Sequence, residues 1–279
     1  MKTAKLILIF SLLFWVDPIF SQNIKVITYN IRYSNPSDSL NYWEFRKTEM
    51  LDFLRIENPQ IIGLQEVLLN QLQYLKANLS GYQQVGVGRE DGINGGEFSP
   101  IFIDTAQFKI LESSTFWLSE TPEKPSKGWD AALNRICTWV KIKDKKTGNQ
   151  ILVCNSHFDH MGKIARDSSS VLITRFAEEN LTQKKMSLIL MGDFNSEPNE
   201  AAIQNFRKNH KDASINETDS LGLGTFNGFK AHQSDFKQID YIFYNRLDKI
   251  SYRTKRPLRS NQLQLSDHYA VGVQFSIKN

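Results

Sequence analysis

The feature that most constrains this chain is a set of short runs that are apolar on both faces. Ser187-Leu-Ile-Leu-Met191 is one of them. A strand with one apolar face leans on a core and shows water its other side, but a strand apolar on both faces has to be covered twice. Helices on one side and a second sheet on the other meet that requirement, so the runs predict a layered α/β sandwich. Strand-like runs cover Ile24 to Tyr29, Gln60 to Gln65, Ser99 to Ile103, Ile110 to Leu118, Cys137 to Lys143, Ile151 to His157, Ser187 to Met191, Ile239 to Tyr244 and Tyr269 to Ile277. Helical spacing of apolar residues appears in Trp43 to Ile56, Val67 to Leu79 and Ile164 to Leu181.

At the N-terminus, Lys2 and Lys5 precede the apolar run Leu6 to Val16, and Ser21 offers a small residue for cleavage before Gln22. That is the layout of a signal peptide over residues 1–21, leaving one domain over 22–279 and an exported protein, periplasmic or secreted. The run is about half the ~20 residues that a spanning helix needs, so stable membrane insertion after cleavage is not expected. At 41% hydrophobic and 23% charged, the composition is that of a globular protein and excludes disordered or collagen-like classes. The net charge of +4 is compatible with an anionic substrate and too small to identify one. Only Cys137 and Cys154 occur, too few for a disulfide scaffold and wrongly spaced for a zinc ribbon. They fall on neighbouring predicted strands, which leaves a cross-strand disulfide and two separately buried thiols both open.

Polar residues recur at the ends of the buried strands. Asn30 ends the first run, Glu66 the second and His157 the run from Ile151, with Asp159 just beyond. Asp193 and Asn195 end Leu188-Ile-Leu-Met-Gly-Asp193-Phe-Asn195, Asp240 opens Tyr241 to Tyr244, and Asp267-His268 precedes the last strand. Singly, each has an ordinary explanation: asparagines satisfy strand-end backbone, Glu66 suits a helix start, and His157 suits a core. Together, one rim carrying these groups would be a carboxylate-rich, oxygen-lined site. Carboxylates and amides without thiolates suit Mg²⁺, with Mn²⁺ as the alternative, better than zinc or copper.

The ordered blocks Thr28-Tyr-Asn30-Ile-Arg32, Gln65-Glu66, Asn155-Ser-His157-Phe-Asp159, Gly192-Asp193-Phe-Asn195, Ile239-Asp240-Tyr-Ile-Phe243 and Ser266-Asp267-His268 resemble the endonuclease/exonuclease/phosphatase superfamily, the deoxyribonuclease-I-like phosphohydrolases. The resemblance covers essentially the whole chain after residue 21, and its intervening segments look like a bacterial exported branch whose substrates are undefined. It implies a four-layered α/β-β/α sandwich, two packed, mostly antiparallel sheets flanked by helices. It also implies a division of labour. Glu66 would be the main metal carboxylate, with Asn30 and Asp267 completing the shell directly or through water. Asp193 would orient or deprotonate the attacking water, and Asn195 would donate to the phosphoryl oxygens. His268 held by Asp240 would be an acid-base or phosphate-contacting dyad, and His157 would protonate the leaving oxygen or stabilise charge on phosphorus.

Arg89 and Arg135 are candidate phosphate contacts, since a guanidinium offers a planar fork. Glu97 is a candidate second acid near the metal, and the Gly-rich stretch Gly86 to Gly96 a candidate mobile loop over the site. Trp139 belongs to a strand pattern and reads as core, and His160, His210 and His232 read as surface or loop residues. The leading function is a metal-dependent phosphoester hydrolase, a phosphodiesterase with nucleic acid among its candidate substrates. A lipid-headgroup or small-molecule phosphodiesterase or phosphatase is the first alternative. A non-catalytic binding module on the same fold is the second, and the filling of every proposed catalytic position argues against it.

Overall fold

The computed structural model describes residues 22–182, 186–217, 222–230 and 236–277; the expected signal peptide and His232 lie outside the described residues. Twelve strands and four α-helices follow in order: β1 (Gln22–Asn30), α1 (Lys47–Glu57), β2 (Ile61–Gln65), α2 (Leu69–Asn78), β3 (Tyr82–Val85), β4 (Ile101–Asp104), β5 (Phe108–Trp117), β6 (Ile136–Asp144), β7 (Gln150–His157), α3 (Lys163–Thr182), β8 (Ser187–Asp193), α4 (Ala201–Asn209), β9 (Lys211–Asp212), β10 (Asp240–Asn245), β11 (Asp248–Lys255) and β12 (Ala270–Ile277). They form two six-stranded sheets, β11-β12-β1-β2-β4-β3 and β5-β6-β7-β8-β10-β9. Each sheet has one parallel pair at its centre, β1 with β2 and β7 with β8, and antiparallel neighbours on both sides.

The doubly apolar strands are covered as their sequence requires. Ile189 and Met191 of β8 face the core between the sheets with Val26, Ile61, Val140, Val153 and Val271. The alternate residues Leu188 and Leu190 face Ile173 and Ala177 of α3 and Ile203 and Phe206 of α4. On the other flank, Ile27 and Tyr29 of β1 pack with Leu51 and Leu54 of α1 and Leu72 and Leu75 of α2. Three apolar cores therefore separate four layers, helices, sheet, sheet, helices, which is the expected sandwich.

Two buried polar side chains join the sheets beneath the rim. Gln65 Nε2 donates to Asn155 Oδ1 at 2.7 Å and to Thr28 Oγ1 at 2.9 Å. Asn155 Nδ2 crosses back to the carbonyls of Leu64 at 2.8 Å and Pro100 at 3.0 Å. Buried amide networks of this kind hold a packing register that apolar contact alone leaves free to slide, although Gln65 Oε1 itself has no hydrogen-bond partner.

Four elements escape the sequence reading. β3 and β9 are short, and β11, Asp248-Lys-Ile-Ser-Tyr-Arg-Thr-Lys255, is a charged edge strand. α4 buries only Ala202, Ile203 and Phe206. The helix expected from Trp43 is split into a 3₁₀ turn, Trp43–Phe45, and α1. Both cysteines are buried free thiols: Cys137 pairs in register with Ser156 and Cys154 with Trp139, so the two sit diagonally. Burial raises the Cys137 thiol well above its ordinary range. Trp139 is buried against Phe176, as expected of a core residue. His210, expected at the surface or in a loop, lies in the connection between α4 and β9 but is buried there, with Nδ1 accepting from Asn245 Nδ2 at 2.9 Å. Among the described residues no helix is long and apolar enough to cross a membrane.

Candidate active site

The two central parallel pairs run the same way, so their C-terminal ends share one rim. β1 ends in Asn30, β2 leads into Glu66, β7 ends in His157 and β8 in Asp193. Antiparallel β10 begins there, with Asp240 opposite Asp193 in register, and the turn carrying Asp267 and His268 enters β12 from the same side. A cleft of about 1090 Å³ opens above them, lined among others by Arg32, Glu66, Glu97, Arg135, His157, Asp193, Asn195, Asp267 and His268. Three lining residues hold left-handed backbone, Arg32 (φ 57°), Glu66 (φ 60°) and Asn195 (φ 45°). Such strain persists where surrounding structure over-determines it, and it clusters at working sites.

Asp193 is the hub. Its Oδ2 accepts from Asn30 Nδ2 at 2.9 Å and lies 3.5 Å from His157 Nε2 and 3.6 Å from His268 Nε2. Its Oδ1 accepts the backbone N–H of Asn195 at 3.0 Å. Burial raises its pKa, and the nearby charge of Asp240 adds to the rise.

The two imidazoles are in opposite charge states. Burial works against a proton on His268, but the carboxylates of Asp240, 2.9 Å from Nδ1, and Asp193 outweigh it and hold the ring as an imidazolium. His157 is pushed down to about 3 by burial, with the Arg135 charge acting the same way. Its tautomer follows from its neighbours. Asn195 Nδ2 donates to the Phe158 carbonyl at 3.0 Å, so the amide nitrogen is the atom that faces His157 Nε2, also at 3.0 Å. Nε2 is then the acceptor, and Nδ1 carries the proton toward Glu97 Oε2, 3.7 Å away. A ready-made acid at His157 is therefore not what the free protein holds.

Glu66 and Asp267 form the other half. Asn30 Nδ2 donates to Glu66 Oε1 at 2.9 Å, the Tyr33 backbone donates to Oε2 at 3.1 Å, and Ser266 Oγ donates to the Asn30 carbonyl at 2.7 Å. Burial raises Asp267 to about 6, opposed by His268 and reinforced by the charge of Glu66. Two carboxylates on one side of the cleft are what a hard divalent cation binds, so Glu66 and Asp267 fit Mg²⁺ or Mn²⁺, while Asn30 turns Nδ2 to Glu66 and Asp193 and its Oδ1 accepts the Arg32 backbone N–H at 3.0 Å. Asp193, Asp240 and His268 also bring one ligand atom each within 4.8 Å of one another. That set suits an ion less well, because Asp240 already occupies the inner ring nitrogen and the ring is a cation.

The arginines need correction. Arg89 does not line the cleft: its Nη1 donates to Glu97 at 2.8 Å and its Nε to Glu90 at 3.2 Å, so it positions Glu97. Arg135 does line it, with Nε on Asp159 at 3.4 Å, Nη2 3.2 Å from His160 Nδ1, and Nη1 buried without a partner. His160 thereby becomes a cleft residue. Residues 86–96 do not line the cleft either. Asp91 Oδ1 accepts from the backbone of Ile93 and Gly95, and Trp117 Nε1 pins the Arg89 carbonyl at 2.7 Å, so the stretch is a folded turn.

Arg46 is the residue that sequence reasoning missed. Fully buried, it donates to the carbonyls of Asn41 (2.7 Å), Ile31 (2.6 Å), Leu265 (3.1 Å) and Arg32 (2.8 Å). It ties the exit of β1 to the loop before Asp267, and burial lowers its pKa to about 10.

A model of the Endonuclease/Exonuclease/phosphatase family matches residues 27–268. The chain is similar to an endonuclease/exonuclease/phosphatase family protein from Bacteroides thetaiotaomicron, at 36% identity and a TM-score of 0.85, covering 93% of this chain and 96% of that one. It is also similar to a mannosyl-6-phosphatase from the same species, at 37% identity and a TM-score of 0.84, covering 90% and 99%. Among curated sequences, it is 23% identical to a CCR4-Not complex 3′-5′-exoribonuclease subunit Ccr4 from Emericella nidulans, over 91% of this chain and 52% of that protein, about half its length.

Proposed function

The chain belongs to the endonuclease/exonuclease/phosphatase family, whose members hydrolyse phosphoesters, and from that membership we propose that it is an exported, divalent-metal-dependent hydrolase of small phosphoesters. The observation that carries the reading is Asp193, a buried carboxylate with raised pKa within 3.6 Å of two imidazoles in opposite charge states, at the floor of a cleft that Glu66 and Asp267 also line. Export rests on the N-terminal sequence alone.

A divalent ion held by Glu66 and Asp267, with Asn30 steadying Glu66 through Nδ2, would polarise a phosphoryl oxygen and offset charge that develops there. Asp193 Oδ2 accepts the proton of a water that attacks phosphorus, and the rise in its pKa through burial makes it a stronger base than an exposed carboxylate. The His268 imidazolium donates Nε2–H to a non-bridging oxygen, while Asp240 keeps the ring charged and oriented. Asn195 fixes His157 as the neutral tautomer. The leaving oxygen then takes its proton from solvent water in the open cleft.

The cleft also bears on substrate size. Arg32, Arg135, Arg166 and Lys237 line it, but so do Glu66, Glu97, Glu197 and Glu200, so it is not the continuous basic groove that a polynucleotide backbone calls for. Together with similarity to a mannosyl-6-phosphatase, this favours a compact, hydroxyl-bearing phosphoester over nucleic acid. The test is Mg²⁺-dependent hydrolysis across sugar phosphates, chromogenic mono- and diesters, phospholipids and oligonucleotides. Asp193→Ala and His268→Ala are each expected to lose at least about a hundredfold in turnover while staying folded. Near-normal rates in either folded variant would overturn the mechanism. Oligonucleotides turned over faster than all small esters would overturn the substrate class.

A further inference from the structure

Arg32 leaves β1 in a left-handed conformation, and its guanidinium is held on two sides. Nε and Nη2 both donate to Asp38 at 3.0 Å, and the group lies 4.4 Å from the centroid of the Tyr33 ring. Its remaining edge faces the cleft. There Nη1 is 3.8 Å from Glu66 Oε2 and Nε is 3.8 Å from Asp267 Oδ2, too long for hydrogen bonds and close enough for the charge to act on both.

We propose that Arg32 is a built-in second cation of this site, limiting Glu66 and Asp267 to one divalent ion and gripping the extra oxygen of a terminal phosphate. The inference rests on the reading of the cleft as a phosphoester site and names the ester class within it. One divalent ion matches the two carboxylates in charge. A second would stand beside a guanidinium that cannot deprotonate or swing away while Asp38 and Tyr33 hold it. The remaining buried carboxylates, Asp193 and Asp240, already face His268. The count of oxygens then selects the ester. A diester has two non-bridging oxygens and one charge, and the ion and the His268 ring, held by Asp240 at 2.9 Å, face both. A monoester dianion has a third oxygen and a second charge, and Arg32, fixed by Asp38 and Tyr33 beside Glu66 and Asp267, is the donor on the ion's side of the cleft to meet them.

Two readouts other than turnover test this on the full chain: Mn²⁺ titration followed by electron paramagnetic resonance, and calorimetric binding of inorganic phosphate to the Mn²⁺-loaded protein. The wild type should bind one Mn²⁺. Arg32→Gln should bind Mn²⁺ about tenfold more tightly, because a positive charge beside the ion is removed, yet bind phosphate about tenfold more weakly. Arg32→Lys, which keeps charge without the fork, should restore wild-type Mn²⁺ affinity and leave phosphate binding weak. Asp38→Asn keeps the guanidinium and frees it, so phosphate binding should weaken with Mn²⁺ affinity nearly unchanged. Two ions in the wild type, or Arg32→Gln matching wild type in both affinities, would overturn the proposal even in an active hydrolase. The expected binding pattern without cleavage of any ester would sustain the proposal and defeat the functional reading instead.

Discussion

Arg46→Met removes a guanidinium from a position where only main-chain carbonyls receive it. The four hydrogen bonds, to Asn41, Ile31, Leu265 and Arg32, span 2.6 to 3.1 Å, and the side chain is wholly buried. Bonds from a charged donor contribute about 1.5–3 kcal/mol each before desolvation is counted. Against that stands the several kcal/mol spent in drying a guanidinium, visible in its lowered pKa. Methionine fills much of the volume and removes the desolvation term, but it takes the guanidinium donor from the carbonyls of Asn41, Ile31 and Leu265, while that of Arg32 keeps Gln71 Nε2 at 3.0 Å. The net loss should be about 3–5 kcal/mol, the range for breaking a buried charged network from one side. Lysine keeps the charge but cannot fork to four acceptors, so Arg46→Lys should fall between the two. Urea unfolding at pH 7 measures both. Because the same bonds tie Asn30 and Arg32 to the loop before Asp267, Arg46→Lys should also weaken Mn²⁺ binding, by about tenfold if one shell ligand is displaced. A loss below about 1 kcal/mol for Arg46→Met would show that water reaches these carbonyls and would refute the argument.

Two further perturbations probe the scaffold. His210 is pushed down from 6.5 to about 4 by burial, so as pH falls through that window the unfolded chain takes up a proton that the folded chain refuses. The stability contributed is whole above pH 6.5 and is lost toward pH 4, by about 2–3 kcal/mol, which should appear as a steeper acid-side fall in urea midpoint for wild type than for His210→Gln. Gly192 sits at φ 151°, where an added Cβ would lie 2.0 Å from the Ser156 carbonyl oxygen. Gly192→Ala must push β8 away from β7 and drag Asp193 with it, so it should cost about 3 kcal/mol or more and lower turnover in whatever fraction folds; a fully active, equally stable variant would show that the strands tolerate separation.

What the sequence makes legible here is position along strands, because an apolar run announces its own end. Asn30, Glu66, His157, Asp193, Asp240 and His268 are recognisable as rim residues before any pairing is known. Charge state is another matter, since it depends on neighbours from distant strands. His157 and His268 read alike in sequence. In the fold, burial, with the Arg135 charge, lowers the pKa of the first, while Asp240 and Asp193 outweigh burial and raise that of the second. Arg89, expected as a phosphate contact, and Arg46, which no sequence signal singles out, differ from the reading for the same reason, since the fold turns one onto Glu97 and the other onto carbonyls. Asn155 and Gln65 carry the converse lesson, for they stand inside the resemblance blocks and yet bind each other across the two sheets at 2.7 Å. Their amides set the height at which one sheet lies on the other, and that height decides whether Asp193 from one sheet meets Asn30 from the other at 2.9 Å. The catalytic geometry is thus a property of the sheet-to-sheet register, which neither strand sequence specifies alone.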